Sequence, residues 1–371
     1  MYSGHKRTHE KKSTVPRFTV LFWDDFVMLD GTILPVGQCV TDLLNVEGDA
    51  LLALREAYVD FAKAFGERLC QADAQADMAL VTEMQEKMNI VWDAIFELPP
   101  YRYLKLDKES SRQMLLAAHM HFPAEFSKMI VPCTDENVVI TELLLKLQRI
   151  FPDVVSFKTY ISVLLECFYE RLRTRSAENY AVGVYSLLSD TTLMNEIAET
   201  LPPHPDMMFR QTSEATIEYT PMRHPVDEKK YVIAERLVFE SLGDFLRADF
   251  FRGIIRGNEP RKCHNCGRYF LLTSGYDIRY CIGIAPGETT RTCRQVGPHK
   301  KEQRHEGETP IWREYRRVYN RLKTRRARGK ITPDEWNRLV AEAQELRNRA
   351  ARGEAPEYEA VELFAGCEGR R

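Results

Sequence analysis

Four of the nine cysteines, Cys263, Cys266, Cys281 and Cys293, fall within 31 residues, where an even spread over 371 positions would place fewer than one. At such density in a reducing compartment, thiols hold metal more readily than they pair as disulfides. Cys263-His264-Asn265-Cys266 has the two-residue gap that lets both sulfurs meet one tetrahedral ion. Gly267 behind it can take the positive φ needed to leave the turn. Two short strands around a turn at 273–277 are then expected to carry Cys281 back to the first pair. Cys293 completes the set, although the Cys281-x11-Cys293 gap is wide and leaves His264 and His299 as alternatives for the fourth ligand. Four thiolates describe a closed, structural zinc site; a catalytic ion keeps an open position and usually takes His or carboxylate ligands. An iron–sulfur cluster uses the same donors, but this spacing suits a mononuclear ion better. Reduced thiols in a hairpin are the plain alternative.

The second candidate chemistry is phosphate binding. From Arg261 to Lys330 the chain carries 18 Lys/Arg against six Asp/Glu. Arg268, Arg279, Arg294, Lys300 and Lys301 lie around or just after the cysteines. Arg313, Arg316, Arg317, Arg321, Arg325, Arg326 and Arg328 lie on or just beyond one predicted helix. Such a face can neutralise the phosphates of DNA or RNA, and arginine can contact them bidentately. The alternatives are a solvated helix face and a surface that meets an acidic partner. Tyr315 and Tyr319 fall on the apolar stripe of that helix, which assigns them to packing rather than base stacking. Charge divides the chain as well: 24 basic and 15 acidic residues follow residue 260 (net +9), and 28 and 39 precede it (net −11). Two modules with different surfaces are expected, the acidic one able to receive a protein partner.

These residues need elements to position them, and the patterning predicts a mainly α fold with small β elements. Residues 18–36 read as a short β meander, with Asp24, Asp25 and Asp30 at turn positions. Amphipathic helices are predicted at 49–72, 76–98, 109–121, 137–151, 155–175 and 190–200. Residues 208–221 alternate, as a hairpin or extended strap does, and a long helix is expected over 227–257, ended by Gly257, Asn258 and Pro260. Thr309-Pro310 opens a helix that Gly329 ends. Thr332-Pro333-Asp334-Glu335 then has the pattern of a capping box with Pro at the first helical position. The two apolar stripes are expected to face each other in an antiparallel helical hairpin with arginines outside. The resulting organisation is a helical N-terminal domain (1–226), a connecting helix (227–257), a four-cysteine zinc module with a knuckle and β-hairpin (258–300), and a basic helical hairpin and tail (301–371).

The stretch RKCHNCGRYFLLTSGYDIRYC, with RTCRQVG and EYRRVYNRLKTRRARGKIT, resembles the C-terminal part of an uncharacterised bacterial domain-of-unknown-function family over about residues 230–350. In outline the chain is also similar to CGNR-type zinc-finger regulators, although no Cys-Gly-Asn-Arg stands in it. The resemblance implies a regulator, and the density of arginine makes DNA or RNA its expected partner; the rival expectation is a protein–protein adaptor in which the zinc module is a scaffold. No Walker loop, GxGxxG, HExxH or GxSxG is present, so no enzyme is expected. No run reaches the roughly 18 apolar residues of a membrane span, and the polar, basic start has no signal-peptide core. A cytoplasmic location is expected.

Overall fold

The computed structural model describes residues 15–70, 77–113, 123–132, 134–201, 211–225, 227, 229–273, 276–298 and 310–352. It is mainly helical with two small antiparallel sheets. The expected meander forms β1 (Phe18–Trp23), β2 (Phe26–Leu29) and β3 (Thr32–Pro35). Asp24 and Asp30 take φ of 44° and 47° at its turns, a left-handed conformation that Asp tolerates better than most residues. The sheet continues through the C-terminal half of the chain, in the order β3-β2-β1-β5-β4, with β4 at Thr216–Arg223 and β5 at Tyr231–Phe239.

That sheet corrects the expected 227–257 helix. Tyr231–Phe239 is a strand, paired with β1 from Phe18↔Phe239 to Phe22↔Glu235 and with β4 along most of its length. Only after Phe239 does a helix begin, α9 in chain order (Leu242–Ile255), where the Ser241 hydroxyl accepts the Asp244 N–H. Leu237, Val238, Leu242 and Phe245 fit a helical stripe on paper. A β-branched, aromatic run beside an unsatisfied edge of β1 gains a full ladder of hydrogen bonds as a strand instead. The domain boundary at 226 falls with the helix, because β1 near the start of the chain pairs with β5 beyond it.

The helices that build the main core are α1 (Gln38–Leu44), α2 (Gly48–Cys70), α3 (Met78–Phe96), α4 (Lys108–Gln113), α5 (Pro123–Ile130), α6 (Asp135–Val163), α7 (Ala177–Ser189) and α8 (Thr191–Thr200). The patterns at 137–151 and 155–175 prove to be one helix through Pro152, followed by a π-helical turn at Leu164–Tyr169. Helix α7 falls between the predicted helices, and part of the 109–121 segment lies outside the described residues. Phe18 packs edge-on against Tyr101 and Phe245, at ring separations of 5.5 and 5.3 Å. Asp249, buried on α9, accepts the N–H groups of Gly37 (2.8 Å) and Val40 (3.2 Å) and so holds the start of α1. A Cβ on Gly253 would sit 3.2 Å from the Gly37 Cα, so glycine permits this close passage of α9 past α1.

Two compact units emerge. One comprises the residues up to Cys263 together with Gly267–Arg279; the other comprises His264–Cys266 and the chain from Tyr280 onward. The second contains the predicted helical hairpin, α10 (Pro310–Ala327) and α11 (Pro333–Ala351). Tyr315, Val318, Leu322, Ile331 and Ala343 form a core of its own. The capping box at Thr332 and Glu335 is present, and Gly329 turns the chain with φ 66°. No helix among the described residues is long and apolar enough to cross a membrane.

Candidate metal centre

The strand pairing at the cysteines differs from expectation in a way that clarifies the site. β7 (Tyr269–Leu272) pairs with the preceding β6 (Glu259–Lys262), in the register Lys262↔Tyr269 to Glu259↔Leu272, rather than with residues near Cys281. Cys263 and Cys266 therefore occupy the turn of this hairpin. The Cys263 N–H donates to the Arg268 carbonyl (2.8 Å), the Gly267 N–H donates to the Cys263 carbonyl (2.9 Å), and Gly267 takes φ 74°. The expected pairing fails because β6 (Glu-Pro-Arg-Lys) has none of the apolar alternation by which a strand is recognised. It is buried nonetheless, through paired charges.

Those charges fix the hairpin. Glu259 meets Arg175 at 2.6 Å, their side chains 2% and 1% exposed. Burial raises the Glu259 carboxyl and the Arg175 guanidinium opposes it. Arg261, also 2% exposed, meets Asp277 at 2.6 Å, and Lys262 meets Glu166 at 2.8 Å. From α1's end, the Asn45 side chain accepts the Tyr269 N–H (2.7 Å) and donates to the Tyr269 carbonyl (2.8 Å), completing the outer edge of β7.

Cys281 and Cys293 are brought together by a closed loop. The Cys293 N–H donates to the Gly283 carbonyl (2.8 Å), the Arg294 N–H to the Cys281 carbonyl (3.0 Å) and the Ala285 N–H to the Arg291 carbonyl (2.9 Å). An isolated bridge at Ile284↔Thr292 lies between them. The eleven-residue gap is thus a β-like loop whose two ends are adjacent, and the wide spacing does not displace Cys293. A short helical run over 293–298 follows. Gly297 lies against the Tyr280 ring, where any Cβ would come within 2.3 Å.

The four sulfurs lie within 4.8 Å of one another, so the set can hold one metal ion. Cys263 and Cys293 are buried and the other two partly so. Cys266 and Cys281 sulfurs are 3.7 Å apart, far beyond the roughly 2.05 Å of a disulfide. The Asn265 amide donates to the Cys293 sulfur at 3.2 Å. His264 is outside the set and meets the Tyr280 ring edge-on at 6.1 Å; His299 lies outside the described residues.

The predicted phosphate contacts fall in different environments. Arg279 is engaged by Asp277 at 2.9 Å. Arg268 and Arg294 are exposed beside the cysteines, and Arg316, Arg317, Arg321 and Arg328 are exposed on or just after α10. Arg325 is half-buried, and Arg326 lies 5.4 Å from the Trp336 ring, partly committed to the packing of the helical hairpin. Lys300 and Lys301 lie outside the described residues, and Arg313 falls within α10. Tyr315 and Tyr319 are packing residues, as their spacing predicts. Sequence reasoning missed Asn45, Arg175, Glu259 and Asp277. Only the charged strand 259–262 ahead of the cysteines hints at them.

A cleft of about 850 Å³ lies apart from the cysteines, between α9 and the open face of the β4–β5 hairpin. Its three arginines are already met by carboxylates: Arg247 by Asp244, Arg252 by Glu235 and Arg256 by Asp25.

Residues 210–364 match DUF6076, a family of unknown function. The match spans β4, β5, the cysteine set and the helical hairpin, and so bears out the resemblance to an uncharacterised family in this part of the chain. No curated protein and no solved structure matches the chain.

Proposed function

We propose that this is a zinc-stabilised nucleic-acid-binding protein, a regulator located in the bacterial cytoplasm, that contacts phosphates through its basic C-terminal part. Zinc suits a donor set of four thiolates. A tetrahedral ion with Zn–S bonds of about 2.3 Å requires sulfurs about 3.8 Å apart, and Cys266 and Cys281 stand at 3.7 Å. Four thiolates close the coordination sphere, so the ion's role is structural.

The observation that carries phosphate binding is the exposed face of α10. Seven Lys/Arg against one Glu fall on α10, with Arg328 and Lys330 just after it, and the apolar side of the helix is satisfied by α11. The test is binding of the full chain to duplex DNA, single-stranded DNA and RNA across a salt series. Affinity should fall steeply with salt. Neutralising Arg316, Arg317, Lys323 and Arg328 to Gln should flatten the duplex slope by about 0.9 for each phosphate left without its cation, equally for all sequences. Absence of binding at low salt refutes the reading.

A second reading, a protein–protein adaptor, is favoured by the outer hairpin of the large sheet. There Ile217, Tyr219, Tyr231 and Ile233 are 50–71% exposed. It predicts a protein complex that survives nuclease and is lost on Ile217→Ser with Tyr219→Ser.

A further inference from the structure

Two buried guanidiniums lie behind the first pair of cysteines, but only one fully buried carboxylate lies with them among the described residues. Arg175 and Arg261 are 1% and 2% exposed at their side chains, and Glu259, 2% exposed, is held by Arg175 through contacts of 2.6 and 2.7 Å. The second cation needs its own anion, since an uncompensated charge in such surroundings is strongly destabilising. Asp277 supplies it. One carboxylate oxygen meets Arg261 Nη1 at 2.6 Å and Arg175 Nε at 3.6 Å; the other accepts from Arg279 Nε and Nη2, both at 2.9 Å. Glu170 gives Arg261 a second, longer ion pair at 3.8 Å, so Asp277 is its close counter-charge. Asp277 is desolvated, which raises its carboxyl, but the hydrogen bonds from Arg261 and Arg279 outweigh this and hold it at about 2.

The places of these residues along the chain give the cluster its meaning. Arg261 lies two residues before Cys263, and Arg279 lies two residues before Cys281. One carboxylate thus grips both approaches to the site, the strand leading into the first cysteine pair and the segment leading into the third cysteine. We infer that Asp277 is a positioning residue of the four-cysteine metal site, fixing the approach of Cys281 to the Cys263–Cys266 turn through Arg261 and Arg279. It touches no metal. It lowers the cost of assembling the thiolates by holding in advance the chain that must bring them together. Groups hydrogen-bonded directly to metal ligands typically change affinity about 10- to 100-fold when removed; Asp277 acts one step further back, through the arginines, so the lower end of that range is expected.

The inference rests on the metal reading, and cobalt titration of the full-length chain separates the two. Co(II) should give the wild type the intense sulfur-to-cobalt absorption of a tetrahedral tetrathiolate, and zinc should displace it. Asp277→Asn should weaken cobalt binding about tenfold or more with the same final spectrum, and Asp277→Glu should recover part of the loss. Arg279→Gln, which removes only the exposed half of the grip, should lose less than Asp277→Asn. Because Asp277→Asn takes the close counter-charge from a buried cation, the double variant Asp277→Asn/Arg261→Met provides a chain without that charge, and it too should bind about tenfold more weakly or worse. Wild-type affinity in a folded Asp277→Asn or double variant overturns the positioning role while leaving the metal reading intact. If the wild type itself takes up no thiolate-bound cobalt, the metal reading fails, and this inference fails with it.

Discussion

The two halves of the cysteine set are held by different means. Cys263 and Cys266 stand in the turn of a hairpin that Asn45, Arg175, Glu166 and Asp277 fasten through side-chain hydrogen bonds and ion pairs. Cys281 and Cys293 stand on a loop closed by its own backbone hydrogen bonds. Besides the cysteines, its buried apolar side chains are the small Ala285 and Val296. So little apolar area contributes only a few kcal/mol at about 25 cal/mol per Å², against about 1–2 kcal/mol of backbone entropy for each residue ordered. If the set binds an ion as proposed, the hairpin is expected to stand without it and the loop to depend on it.

The largest effect expected from this difference is in hydrogen exchange on metal removal. Chelation of the full chain should leave the Cys263 and Tyr269 amides protected. The amides of Ala285, Cys293 and Arg294 should lose their protection by roughly a hundredfold or more, read residue by residue, as a locally unfolded segment does. Equal loss on both sides would erase the distinction. Cys281→Ser should reproduce the pattern without chelator.

An effect of the same order should come from the anchor of the hairpin. Glu259→Gln leaves the Arg175 guanidinium buried without its counter-charge, and breaking such a pair from one side costs about 3–5 kcal/mol. Denaturant unfolding should show that loss in the transition of the large unit. A loss below about 1 kcal/mol, the scale of an exposed pair, would mean that the ion pair does not fasten the hairpin and that Asn45 carries the task.

The smallest effect is a pH dependence at the root of the same anchor. Asp249 holds the start of the helix that ends in Asn45. Burial raises its carboxyl to about 6, although the Gly37 and Val40 N–H groups oppose this; Asp42 nearby raises it further. A carboxyl raised above its unfolded value of about 3.9 favours the protonated fold. Its contribution is complete below that pH and is lost as pH rises through about 6. Unfolding free energy should therefore lose about 1–3 kcal/mol from this group between about pH 4 and 7. Asp249→Asn should remove that slope, whatever constant offset it adds; an unchanged slope would assign the dependence elsewhere.

Legibility differs along the chain for physical reasons. The Cys-x2-Cys pair, the Thr332 capping box and the turn aspartates of the meander are local, their geometry set by residues one to four positions apart. Cys293 is identifiable by density, while the loop that makes its spacing workable is not. β6 is hidden because its burial depends on charge pairing rather than apolar alternation. Tyr231–Phe239 reads as helix because its stripe satisfies both periods.

By itself, the sequence determined the four-cysteine set, the helical hairpin with its basic exterior, the meander and the mainly α class, since each follows from spacing, capping or periodicity within a few turns of chain. Only the tertiary structure decided that 231–239 is a strand, because its partner β1 lies more than 200 residues earlier. It also decided that Arg175, 84 residues before Glu259, neutralises it. Charges and strand edges find their partners through space, and no local pattern of residues states which distant segment will arrive to meet them.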